Sequence, residues 1–181
     1  LPISAETLVL TELRFAARLA DGALAAERVA TNLEGIEAGG SVALDTHAGM
    51  RIDADVAWRR PNGAVPTAGR LTVAGTLPEL DVRHELEAPY SVIAAGKLWV
   101  ESPPRVALAV EWPGATIPGR EDLGTVRGAA TFEGPIDALG FSSEGVLATF
   151  DREYAYAATG SIAGLVVHAE PLTLTGPGGS A

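Results

Sequence analysis

Cysteine is absent from this sequence, lysine occurs once (Lys97), and only ten of the 181 side chains are aromatic. Without cysteine there is no disulfide, thiolate metal site or cysteine nucleophile. The balance of 13 Lys+Arg against 23 Asp+Glu, net −10, leaves no basic stripe to track a nucleic-acid backbone. It also leaves no polybasic cluster to hold the chain on an anionic membrane surface. His47, His84 and His168 lie far apart and none has metal-ligand spacing. Neither a Gly-x-Ser-x-Gly elbow nor a phosphate-binding glycine loop occurs. The chain reads as a non-enzyme that uses no metal and no cofactor.

No apolar run approaches the roughly 20 residues of a membrane-spanning helix. The chain opens at Leu1-Pro2, without a methionine and without a charged stretch followed by an apolar one. It therefore reads as an excised or processed piece of a longer protein, with any signal or anchor outside it.

What the sequence has in quantity is small aliphatic residues in alternation. Hydrophobic residues make up 47% and charged ones 20%, too apolar for disorder by composition. From Met50 to Trp58 the even positions are Met50, Ile52, Ala54, Val56 and Trp58, against Arg51, Asp53, Asp55, Ala57 and Arg59. That is a strand with one dry and one wet face. Leu71 and Val73 repeat the pattern, as do Val82 and Leu86. So do Val106, Leu108, Val110 and Trp112, and then Val126, Ala130 and Phe132. Pro61-Asn62-Gly63, Pro103-Pro104, Pro113-Gly114 and Gly134-Pro135 punctuate these segments. Glu12 to Ala30 is rich in Ala, Glu and Arg and competes as a helix. Asp21-Gly22 divides it between alternating runs, which favours a hairpin.

The expectation is an all-β chain of about a dozen strands and no helix. Residues 1–175 form one long, mostly antiparallel sheet, and 176–181 (Gly-Pro-Gly-Gly-Ser-Ala) form a flexible tail or linker. One dry face per strand needs a cover that no helix supplies. Either the sheet closes into a β-sandwich, or it stays an open trough that holds something apolar. The dry-face residues are the candidate lining in the second case and the core in the first. These are Met50, Ile52, Val56 and Trp58, then Leu71, Val73, Val82 and Leu86, and then Val106, Leu108, Val110, Trp112 and Phe132. Trp58 and Trp112 end their strand faces, either closing the core stripe or lining a trough mouth. Arg59-Arg60 could meet a lipid phosphate through bidentate hydrogen bonds, or form a charged loop tip. The carboxylates Asp53, Asp55, Glu85 and Glu87 are spaced by two on the wet face and read as solvated.

A faint repeat of 55–60 residues runs from Trp58 through Leu71–Val82 and again from Trp112 through Ala130–Phe141, as in extended arrays. The unit at Leu71–Val82, containing Gly75-Thr76-Leu77-x-x-Leu80-x-Val82, is followed by Glu85-Leu86-x-Ala88-Pro89 and Gly96-x-Leu98. A degenerate copy stands at Gly134–Phe141. On these motifs the chain resembles the TamB family of the Gram-negative envelope, among the AsmA-like bridge-shaped lipid transporters. The resemblance implies a sheet curled into an apolar trough (β-taco-like) in the periplasm. It implies a full-length protein anchored in the inner membrane that meets a TamA-like outer-membrane barrel protein. The implied work is phospholipid transport or outer-membrane biogenesis and protein assembly. The partners are then phospholipid acyl chains, with no nucleic acid, and the piece itself is a monomer or an edge-paired oligomer. A contrasting reading is a periplasmic scaffold whose strand edges pair with client proteins. A carbohydrate-binding sandwich is disfavoured by the scarcity of aromatic residues.

Overall fold

The computed structural model describes residues 10–33, 35–47, 49–63, 65–116, 125–149, 152–164, 166–177 and 179–180. Among them every regular element is a strand. These are β1 (Leu10–Ala20), β2 (Ala23–Leu33), β3 (Ile36–Asp45), β4 (Arg51–Arg60), β5 (Thr67–Thr76), β6 (Glu79–Ala88) and β7 (Val92–Trp99). They continue as β8 (Arg105–Thr116), β9 (Thr125–Pro135), β10 (Ala138–Thr149), β11 (Arg152–Ala163), β12 (Val166–Gly176) and β13 (Gly179–Ser180). They lie in sequence order in one 13-stranded sheet, each antiparallel to the next.

The local reasons are legible. Ala20 pairs with Ala23 across Asp21 and Gly22, whose φ values of 45° and 73° suit a two-residue hairpin that matches strand twist. The alanine-rich stretch 12–30 is thus two strands and no helix. Gly75 and Gly134, at φ 145° and 128°, stand just before the β5–β6 and β9–β10 turns, in a conformation that a side chain would strain. Each is followed two residues on by the same contact. Leu77 N–H donates to the Met50 carbonyl at 3.2 Å, and Ile136 N–H to the Pro104 carbonyl at 3.0 Å. The sequence repeat is therefore a four-strand unit, β4–β7 and then β8–β11.

The sheet does not close. Extensive contact is confined to strands adjacent in sequence, so among the described residues no second layer lies over either face. Among the described residues the only buried apolar side chains are those of Leu80 and Ala130, at 5% and 6% exposure, and no side chain is fully buried. The chain exposes 12031 Å², against about 8,200 Å² for a compact protein of its mass. The closed β-sandwich is overturned. Each strand pairs with the one before it in sequence, so among the described residues no strand belongs to a second sheet. The result is a long unclosed antiparallel sheet, consistent with an open trough. Bulges in β1–β2, β2–β3, β5–β6, β8–β9 and β11–β12 add bend and twist to it. The chain turns back after Gly176, and Gly179 and Ser180 pair with Gly176 and Thr175 as β13.

Candidate functional site

Antiparallel pairing puts opposed residues on the same face, so the register converts twelve alternating strands into rows running across the sheet. On the dry face there are four. One runs unbroken from Ala17 through Val42, Val73, Val82, Leu108 and Phe132 to Ala169. At about 4.8 Å per strand it is roughly 50 Å long. Toward one edge lies a row of large aliphatics that includes Leu24, Leu44, Ile52, Leu80, Leu98 and Val106. On the other side are Val56, Leu71, His84 and Val110, followed by a final row that contains Trp58, Leu86, Trp112 and Tyr156.

Twelve of the thirteen expected lining residues therefore share this face: Ile52, Val56, Trp58, Leu71, Val73, Val82, Leu86, Val106, Leu108, Val110, Trp112 and Phe132. All twelve are half-buried. Met50 does not belong. It precedes β4 at φ 61°, is 42% exposed, and contributes its carbonyl to Leu77. Leu80, Leu98, Phe141 and Tyr156 belong to the face and were missed. Alternation in β10 and β11 points to the last two, but Ala, Gly and Ser at the neighbouring dry positions mute the signal.

Trp58 and Trp112 fall in one row, as a trough edge would need. The third tryptophan, Trp99, sits on the opposite face, and its indole N–H donates to Glu79 at 3.1 Å. Trp58 lies over Gly69, where a Cβ would stand 3.1 Å from its ring. It reaches across β5 to His84 on β6, and its Nε1–H donates to His84 Nε2 at 3.1 Å. The rings are 6° from coplanar. His84→Leu should leave this N–H without an acceptor. The expected result is a lower urea midpoint, worth about 1 kcal/mol, with a shift of Trp58 fluorescence.

Arg59 and Arg60 are not brought together. Arg59 is on the wet face, bound to Glu37 at 2.6 Å. Arg60 falls in the dry register beyond Trp58, opposite Thr67, and is exposed. The wet face is a lattice of exposed ion pairs. Arg51 meets Asp53 at 2.9 Å, Arg83 meets Glu85 at 2.6 Å, Arg70 grips Asp55 and Lys97 grips Glu79. Hydrogen bonding from Arg70 holds the Asp55 carboxyl below its ordinary range, and Lys97 with Trp99 does the same for Glu79. A carboxyl whose folded pKa is depressed stabilises the fold above its unfolded pKa and loses that contribution as pH falls through the folded one. Stability should therefore be flat near neutrality and decline modestly below about pH 4, read as a lower urea midpoint at pH 3 than at pH 7. The Asp55 and Glu79 side chains are 40% and 48% exposed, so solvent screens these pairs and the decline is small.

The surface depressions also lie on the wet face, where long charged side chains stand around alanines. One of them, about 890 Å³, runs over Ala129, Val146 and Ala157 between Glu111, Arg127 and Glu144. The dry face is lined mainly by aliphatic side chains with glycines between them. Among the described residues no cluster of His, Asp and Glu could hold a metal ion, and no helix is long and apolar enough to cross a membrane.

Fold and face together define a single-layer, unclosed β-sheet with one uncovered apolar side. Compared with protein-family models, with curated proteins and with solved structures, the chain matches none.

Proposed function

We propose that this chain is a segment of a trough-shaped periplasmic protein whose apolar face shelters lipid acyl chains in transit between the inner and outer membranes. One observation carries the reading: an apolar row continuous across twelve strands, with no other described residues folded over it. Monomeric proteins rarely leave more than a few hundred Å² of contiguous apolar surface in water, so a face of this extent needs an occupant. Acyl chains match it in shape and chemistry. Each methylene withdrawn from water contributes up to about 0.8 kcal/mol without a directional bond, which holds a chain but allows it to slide. The repeated four-strand unit would extend the same surface in a longer protein. The resemblance to the TamB family supplies the setting: an inner-membrane anchor on the full-length chain, a TamA-like barrel partner, and a Gram-negative envelope.

Native mass spectrometry of the protein purified from bacteria, with extracted lipids identified, tests this. Bound phospholipid in the wild type supports the reading, and a lipid-free protein counts against it.

One observation favours a second reading, the assembly scaffold. Among the described residues strand β12 pairs on its outer edge only through Thr175 and Gly176, and Val166, Val167 and Leu172 are 54%, 61% and 67% exposed. An exposed apolar edge is a template for strand addition. Lipid-free protein that assembles with concentration, and loses assembly on Leu172→Lys, would favour it.

A further inference from the structure

One difference between the two copies of the four-strand repeat, at a polar position of the dry face, marks where a lipid's polar end would sit. This inference rests on the lipid reading above. In the first copy, Trp58 stands opposite Gly69 and its indole N–H is satisfied by His84. In the second, Trp112 stands opposite Gly128 in the same way. The residue corresponding to His84 is Ser143, which lies in the same row two strands beyond the tryptophan. Its hydroxyl donates to the Ala129 carbonyl at 3.2 Å and gives Trp112 no acceptor. Among the described residues the Trp112 Nε1–H has no partner.

A second donor lies in the same row. Gly128 pairs with Gly145, and Gly145 with Tyr156. The Tyr156 hydroxyl lies over both glycines, 2.6 Å from where a Cβ on either would be. It too has no partner among the described residues. Trp112 and Tyr156 are half-buried and neither donor is enclosed, so each would lose its water only when a ligand covers this edge of an otherwise aliphatic lattice. Such a donor gains from an acceptor that arrives with the apolar ligand. A headgroup phosphate stays hydrated, whereas the ester carbonyls of a glycerolipid sit where its acyl chains begin.

We infer that Trp112 and Tyr156 form a subsite for the ester carbonyl oxygens of a glycerolipid. They set its head toward the aromatic row and its acyl chains along the aliphatic ones. Trp58, with its donor already engaged, covers the corresponding place in the first copy without offering a bond.

The test titrates the 181-residue protein by calorimetry with a short-chain diester phosphatidylcholine and its diether counterpart, both below their micelle-forming concentrations. The wild type should bind the diester roughly three- to tenfold more tightly. Trp112→Phe and Tyr156→Phe should each reduce that preference and together remove it, and Trp58→Phe should keep it. Equal binding of the two lipids by the wild type overturns the subsite, as does an undiminished preference in the double variant. Binding of neither lipid removes the subsite together with the lipid reading on which it rests.

Discussion

Phospholipid carried by the purified protein should fall at least roughly tenfold on Val82→Asp or Leu108→Asp, with the strands intact. The size follows from placing a carboxylate where acyl methylenes must lie, since an ionised group in apolar surroundings costs several kcal/mol. Fold retention follows from the openness of the face. Val82 and Leu108 are both half-buried, and they lie in one row on either side of Gly96. In the empty trough a carboxylate at either position reaches water, so the apo protein loses little beyond a valine's or leucine's partial burial. A closed core would behave differently, because a buried unpaired charge unfolds it. Circular dichroism and a urea titration beside the lipid assay separate the two outcomes. Native-like variants that lack lipid support the trough. Variants that unfold, or that keep their lipid, count against it.

The largest stability effect is expected at Gly96, in the middle strand of the array. A Cβ there would stand 1.9 Å from the Ala107 carbonyl oxygen and 2.9 Å from the Leu108 Cα. Both are backbone atoms of the paired strand and cannot rotate away. Gly96→Ala should therefore push β7 and β8 apart, at a cost on the order of 3 kcal/mol or more. Because each strand of the sheet holds mainly to its neighbours, stability is close to a sum of nearest-neighbour terms. Loss of one central pairing should then divide denaturation into separate transitions for β1–β7 and β8–β13. Gly140→Ala is the matched control. Its added methyl would meet the Glu133 carbonyl at 3.5 Å, an ordinary contact, and its urea midpoint should stay within about 0.5 kcal/mol of wild type. Equal midpoints for the two variants would contradict the register between β7 and β8.

Much of this architecture is legible in the residues. Period-2 alternation marks β4, β6 and β8, and Asp21-Gly22 decides between helix and hairpin. The repeat seen in Trp58–Val82 and Trp112–Phe141 returns as two four-strand units. The open-or-closed question is not legible, because Val82, Leu86 and Leu108 alternate identically in a sandwich core and on a bare face. Pairing decides it, and pairing is a long-range property built up one hairpin at a time. Met50 shows the limit of pattern alone. It continues the even positions of β4 in sequence, yet a left-handed φ takes it out of the strand. Arg59 and Arg60 show the same limit, since adjacent residues on a strand face opposite sides. The subsite at Trp112 and Tyr156 is invisible in sequence for a related reason. Forty-four positions separate the two side chains, and only the pairings through Gly128 and Gly145 bring them into one row.

The central claim, that acyl chains occupy one face of an open sheet, is tested most directly by photocrosslinking with phospholipid that carries a diazirine on its acyl chain, followed by peptide mapping. The expected adducts fall on dry-face residues such as Val73, Val82, Leu108 and Phe132. The alternating wet-face residues Thr72, Arg83, Ala107 and Thr131 should remain unlabelled. Labelling spread over both faces, or confined to the wet-face depression around Ala129 and Ala157, would contradict the account.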